Sequence, residues 1–342
     1  MTSARGKTVK VLAVAAVPAA CFWYLFHNLD VQRFSAAFGA LPAYAFAAAC
    51  LLFGTTALLQ GLRLYYILEK RCALSQAVRA CFLCSGVNTL LPARLGDVVK
   101  SVSLSVNCAI SIPATLCAVF WERLSDLLAV LLLAVGVGLY FDAPELYMPT
   151  LALPLALIAG LILVRRFRPF FHKCVSLLPN AAPRAQLDAV ILRLAGEQYR
   201  PSSLLLSALT LPVWTGFCIF NSLFFAYFHN TAPDLFTGLL LTTAGAVGVM
   251  LPGTPGGIGT FEASVVAALS LVNMDKSEAL AFALVLHLVQ VIPAVLYAAY
   301  AALRGQWSLS GVRSSLPAAE EAETGAGAET TQCSGNTTAD GP

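Results

Sequence analysis

Two charge-bearing Pro/Gly breaks interrupt long apolar stretches of this 342-residue chain, and they fall at matching places in its two halves. The first reads Asn88-Thr89-Leu90-Leu91-Pro92-Ala93-Arg94-Leu95-Gly96-Asp97. The second reads Val249-Met250-Leu251-Pro252-Gly253-Thr254-Pro255-Gly256-Gly257-Ile258-Gly259-Thr260-Phe261-Glu262. Hydrocarbon offers no hydrogen-bond partners, so irregular backbone at membrane depth survives only where protein or a watery cavity satisfies it. Paired interruptions in the two halves of a membrane protein therefore point to a substrate site.

Composition places the chain in a membrane. Hydrophobic residues make up 58%, charged residues 11%, and the mean hydropathy is +0.76, whereas a soluble domain carries about 25% charge. Near-chargeless runs cover 11–26, 42–61, 127–141, 149–164, 204–227 and 235–250, and several approach the roughly 20 residues that a spanning helix needs. The fold class expected is an all-α polytopic integral membrane protein. No cofactor and no nucleic-acid partner are expected.

The net charge of +3 is informative through its placement. Arg5, Lys7 and Lys10 precede the first apolar run, Lys70 and Arg71 follow the second, and seven Lys and Arg residues lie in 165–200. Segments 141–148 and 229–234 contain no Lys or Arg. The positive-inside rule puts 1–10, 68–74 and 165–200 in the cytoplasm and the two base-free segments outside. Both termini are then cytoplasmic, in an inner (cytoplasmic) cell membrane. Ala19-Ala20-Cys21 has the outline of a lipoprotein cleavage site, but Pro18 stands where such sites take Leu, so an uncleaved first helix is expected.

Spans are expected near 9–27, 42–68, 113–141, 149–165, 201–228 and 279–303, with two shorter apolar pairs between them, 74–91 with 97–112 and 236–251 with 259–273. The members of the second pair are too short for a core about 30 Å thick. Each pair reads as a re-entrant hairpin, giving six full spans and two hairpins; if each member crosses fully, the count rises to as many as ten. Span–hairpin–span covers 42–141 and again 201–303, with Pro92 and Pro252 at equivalent depths. The first unit starts outside and the second inside, so the two are expected as inverted-topology repeats within one transmembrane domain, 1–303, joined by the cytoplasmic connection 165–200. Residues 304–342 have the composition of a disordered tail.

Charges inside such a fold need a partner or a wet cavity. Around the first break stand Asn88, Arg94, Asp97 and Lys100; on the following span stand Glu122, Arg123 and Asp126; after the second break stands Glu262. Arg94 and Lys100 flank Gly96, where free backbone N–H groups at a helix start and a cationic side chain would suit a phosphate; contact with lipid headgroups at the interface is the other reading. Glu122 and Asp126 share a helix face, and Arg123 and Asp126 are spaced to pair, as a functional cluster or as an internal salt bridge. Gly256, Gly257 and Gly259 permit unusual dihedrals and close approach of a ligand, with Glu262 free to cap the next helix or to serve the site. His287 has no metal-ligating neighbours in sequence and reads as a buried hydrogen-bonding group. Ten cysteines lie mostly within apolar runs; Cys81 and Cys84 form a CxxC without a second pair and read as small packing residues.

At these residues the chain resembles the membrane region of the lysylphosphatidylglycerol synthase family, a flippase-like group. The matching stretches are Asn88 to Asp97, then Glu122-Arg123-Leu124-Ser125-Asp126, then Pro252 to Glu262, and the resemblance spans 8–303 in order and spacing. It implies movement of an anionic, aminoacylated or polyprenyl-phosphate-linked lipid between leaflets, with lipid-biosynthesis enzymes as further partners. Asp97 stands where the family more often has Glu, and His287 lies in a helix where many members carry Arg. The soluble aminoacyl-transferase domain of the full-length synthases is not expected here, nor is catalysis. The expected function is lipid-flippase-like transport of a lipid with a phosphate headgroup. Its rivals are a membrane-embedded enzyme acting on a lipid phosphate and a non-transporting scaffold for envelope biosynthesis.

Overall fold

Asp30, Asp234 and Asp275 each start a helix by accepting backbone N–H bonds from the first turn: Gln32 and Arg33 on Asp30, Phe236 and Thr237 on Asp234, Ser277 and Glu278 on Asp275. The computed structural model describes residues 20–91, 95–108, 110–140, 159, 166–176, 209–250 and 254–305, and regular structure there is helical throughout. After a helical segment at 20–26 come α1 (Val31–Gly39), α2 (Ala43–Ile67), α3 (Leu74–Leu90), α4 (Gly96–Cys108) and α5 (Ile112–Tyr140). Then follow α6 (Arg168–Ser176), α7 (Thr210–His229), α8 (Leu235–Met250), a 3-10 turn (Pro255–Gly257), α9 (Thr260–Ser270) and α10 (Lys276–Leu303).

Four of these, α2, α5, α7 and α10, are long and apolar enough to cross a membrane. Their outward faces carry Leu51, Leu132, Leu211 and Leu296, all more than half exposed. Exposed leucines in such rows would be an aggregation hazard in water and are at home against acyl chains. Within a few residues, α2, α5 and α10 occupy the spans expected at 42–68, 113–141 and 279–303. The expected span at 149–165 lies, but for residue 159, outside the described residues, as do most of 9–27 and of the connection 165–200 and the tail beyond 305. Helix α1 was not expected from the sequence.

One order of helix lengths occurs twice. A long helix, two short ones and a long one run α2–α3–α4–α5 and again α7–α8–α9–α10, each packed on its successor. The short helices have 17 and 13 residues in the first set and 16 and 11 in the second, about 26, 20, 24 and 17 Å at 1.5 Å per residue. Contacts between the sets survive their exchange: α2 packs on α7, α10 on α3 as α5 on α8, and α10 on α2 as α5 on α7. Phe53 meets Phe220, Leu59 meets Gly216 and Arg63 meets Thr210, so rising numbers on α2 face falling numbers on α7. The two helices are antiparallel.

Between apolar helices in lipid, close packing replaces the hydrophobic drive, and small residues permit it. Ala279, Ala281, Ala283, Ala294, Ala298 and Ala301 are all buried on α10, and Ala298 and Ala301 join Leu83, Val87 and Val99 in one cluster under α3 and α4. The largest core cluster lies in the second set, where Phe220, Phe224, Leu241, Phe261, Leu269, Phe282 and Leu286 interlock. This packing fixes the positions of both breaks.

Candidate functional site

The first break is held shut by Asn88. Its side-chain oxygen accepts the Gly96 backbone N–H at 2.8 Å, taking one of the amides that the start of α4 would otherwise leave free. A Cβ at Gly96 would collide with the Cys84 carbonyl and the Asn88 side chain, so only glycine lets α4 begin against α3. Arg94, with Pro92 and Ala93, lies outside the described residues. Asp97, in the first turn of α4, accepts from Arg123 Nε at 3.1 Å and Nη2 at 2.7 Å and from Cys84 Sγ at 3.3 Å.

From Asp97 a chain of ion pairs crosses the first set of helices. Arg123 continues to Asp126 at 3.5 Å. Asp126 takes Arg63 Nη1 at 2.6 Å and Nη2 at 3.2 Å, and the Trp214 indole N–H at 3.0 Å. Arg63 Nη2 reaches Glu122 at 3.2 Å, and the other Glu122 oxygen takes Lys100 Nζ at 2.5 Å. The cations Arg63, Lys100 and Arg123 thus balance the carboxylates Asp97, Glu122 and Asp126. Burial of isolated charge is costly, and neutral pairing with further hydrogen bonds is what makes it tolerable. The side chains of Arg63, Lys100 and Glu122 are 2% exposed, but that of Arg123 is 42% exposed.

The second break is built from glycines in the left-handed region. Gly256, Gly257 and Gly259 have φ of +67°, +76° and +87°, a conformation that L side chains rarely adopt. Glu262, buried in the first turn of α9, turns back to accept the Gly259 N–H at 2.6 Å, so the capping role expected for it is present. Its other oxygen lies 2.6 Å from His287 Nδ1 on α10, and His287 Nε2 lies 3.1 Å from the Gly256 carbonyl. The Phe261 ring stacks on the imidazole with centroids 4.4 Å apart. His287 is therefore the buried hydrogen-bonding group that its isolation in sequence suggested.

The two breaks meet. The glycine turn packs on the end of α3, with Gly256 against Thr89, next to Asn88 in sequence. Expected site residues fall into two groups, Asp97, Lys100, Glu122, Arg123 and Asp126 in one and Gly256, Gly257, Gly259 and Glu262 in the other, with Asn88 between them.

The sequence profile of the lysylphosphatidylglycerol synthase transmembrane region matches residues 10–298. The chain belongs to that family. No protein of curated function matches it. As a member of the lysylphosphatidylglycerol synthase transmembrane-region family, with four helices of spanning character, it is a multi-pass membrane protein tied to lipid metabolism or transport. The match is to the transmembrane region and does not extend to a soluble catalytic domain.

Within this family member, three ligands of the charge network escaped the sequence reading: Arg63, Trp214 and Thr210, whose hydroxyl takes Arg63 Nη1 at 3.2 Å. Arg63 had a signal, being a lone Arg late in an apolar helix, which demands a buried partner. A cavity of about 520 Å³ lined by Leu41, Pro42, Tyr227 and Asn230 lies at the opposite ends of α2 and α7 and touches neither group.

Proposed function

We propose that this protein moves a lipid with a phosphate headgroup, anionic, aminoacylated or polyprenyl-phosphate-linked, between the leaflets of the inner cell membrane without catalysing a reaction. The observation that carries the reading is the meeting of the two chain breaks, Gly256 on Thr89, at the junction of two helix sets with the same length pattern. Antiparallel α2 and α7 support two inverted repeats. Helices α3, α4, α8 and α9, each shorter than the bilayer core, support two re-entrant hairpins. On this reading six spans and two hairpins make up the transmembrane domain 1–303, both termini are cytoplasmic, and 229–234 faces outward.

The headgroup phosphate meets Arg94 at the first break, and Arg123 is the cation of the buried network best placed to join it, since its side chain is the exposed one. Lys100 and Arg63, closed on Glu122 and Asp126, hold the wall of the site. Glu262, Glu122 and Asp126 balance a cationic headgroup or the cations left when lipid departs. Acyl chains remain in the bilayer.

The test is reconstitution of the full chain in vesicles containing fluorescent phosphatidylglycerol, with the fraction bleached by a membrane-impermeant reductant as the readout. Protein-dependent exposure of inner-leaflet lipid, reduced in Arg94→Ala, is expected. Bleaching equal to that of protein-free vesicles for phosphatidylglycerol, its aminoacyl form and a polyprenyl phosphate would end the proposal.

A further inference from the structure

His287 places both ring nitrogens on acceptors. Nδ1 faces a Glu262 carboxyl oxygen at 2.6 Å and Nε2 faces the Gly256 carbonyl at 3.1 Å. A neutral imidazole has one N–H and one lone pair, so on its own it can satisfy only one of these contacts. Both are satisfied when the pair carries one further proton. Either the ring is doubly protonated beside a carboxylate, or a protonated Glu262 donates to Nδ1 while Nε2–H donates to Gly256. The two arrangements hold the same protons and the same zero net charge.

Removing that proton leaves a carboxylate and a neutral ring with a single N–H. The charge-assisted bond to the carboxylate is the stronger, so the remaining ring proton goes to Glu262. The Nε2 lone pair then faces the Gly256 carbonyl, and the bond tying the glycine turn to α10 is gone. Gly256 is the residue that rests on Thr89 of α3.

We propose that Glu262 and His287 form a binding site for one exchangeable proton, and that its departure loosens the glycine turn from the end of α3, coupling lipid movement to proton flow. The coupling rests on the translocation reading above; the proton site does not. No second ion competes for the pair among the described residues. Helix α8 and residues 254–259 contain no charged group, and Glu262 is the only one on α9. On α10, Lys276 bonds the His27 carbonyl and Glu278 lies in the same first turn, more than two turns from His287. On α3, Arg79 and the cysteines Cys81 and Cys84 lie on turns before Thr89, and Cys84 donates to Asp97. On α2, Arg63 is held by Glu122 and Asp126, and Cys50 packs at the core edge. Near α1, Arg33 faces Asp30 and Asp275, and His229 at the end of α7 lies among the rings of Phe225, Phe228 and Phe282. An ionisable group enclosed at membrane depth with no fixed counter-charge is the kind that serves proton relays.

Hydrogen–deuterium exchange of the full-length protein in vesicles tests this, with the 254–260 amides followed in acidic and alkaline buffer and corrected for base-catalysed exchange. Wild type should lose protection severalfold at alkaline pH. Glu262→Gln should abolish that step, because the amide donates to Nδ1 permanently and leaves Nε2–H on Gly256. His287→Gln, which has no ring proton to exchange, should abolish it too and serves if the first variant does not fold. An unchanged wild-type profile, or a step of wild-type size in either folded variant, overturns the proton site. The fluorescent-lipid assay under an imposed pH gradient separates the two readings. Lipid movement without the exchange step sinks the proton site alone, and the step without lipid movement sinks translocation alone.

Discussion

Gly256 of the second helix set lies against Thr89 of the first, close enough that a Cβ built on the glycine falls 3.0 Å from the threonine methyl. Two constraints coincide there, a left-handed backbone and a contact with no room. Gly256→Ala should destabilise the protein by about 1–3 kcal/mol through the backbone term alone, and Gly257→Val by more, because a β-branched residue tolerates positive φ least. Gly54→Ala, in α2 with open space around the position, should be neutral or slightly stabilising. Melting temperatures in detergent check this. Equal values for Gly256→Ala and Gly54→Ala would show that the turn is a plain connector.

Arg63 forms a two-pronged bond to Asp126 and a second tie to Glu122 from a side chain 2% exposed. Removing it leaves the buried Glu122 and the partly buried Asp126 with one fewer counter-charge. Arg63→Ala is expected to cost about 3–5 kcal/mol. Arg63→Lys should rescue little, since an ammonium cannot reproduce the planar fork. Thermal unfolding of the variants in one detergent is the measurement, and a loss below about 1 kcal/mol for Arg63→Ala, the level of a surface pair, would mean the network is not what joins α2 to α5.

Lipid handling should separate cations by location. Arg94→Ala and Arg123→Ala should each weaken retention of phosphate-headgroup lipid by about 1.5–3 kcal/mol, the range for a charge-assisted hydrogen bond. Arg168→Ala, in α6 and far along the sequence from both breaks, should not. Native mass spectrometry of co-purified lipid reads the difference. Equal retention in all three would make Arg94 and Arg123 ordinary interfacial charges.

Much of this was legible in sequence because it follows from local rules. Apolar runs give α2, α5 and α10 to within a few residues, the glycines of the second break permit the unusual dihedrals they adopt, and the spacing of Arg123 and Asp126 allows their pairing. What escaped depends on tertiary contact. Glu122 and Asp126 were seen as a shared face, but the partner that joins them, Arg63, lies 59 and 63 residues away on another helix. Glu262 and His287 were each noticed alone, since nothing local connects residues 25 apart. Helix α1 was missed for the opposite reason: at nine residues it is far too short to register as an apolar span, and the Asp30 cap that starts it is a weak signal by itself. Beside the break, Lys100 suits either a phosphate or a lipid headgroup by sequence alone, and its closure on Glu122 is visible only once α4 is laid against α5.

The base-free loop before α8 offers a prediction in pH. Asp234 accepts the Thr237 and Phe236 backbone N–H groups at 2.8 and 3.2 Å and the Thr237 hydroxyl at 2.8 Å. These bonds, the Thr237 amide first, hold its carboxyl below the usual carboxylate range. Because the folded-state value is the lower one, its contribution is fully present above the unfolded-state value and is lost as pH falls through the folded-state value. The residue is exposed, so the effect is a cap's and not a buried ion pair's. Asp234→Ala should cost about 0.5–2 kcal/mol at neutral pH, shrinking toward zero in acid as the wild-type carboxylate protonates. Asp234→Asn keeps an acceptor that does not titrate, so it should cost little at neutral pH and equal or surpass wild type in acid. Comparing each variant with wild type across pH isolates this one group from every other carboxylate. A penalty for Asp234→Ala that is undiminished in acid would show that the side chain acts through something other than its charged cap.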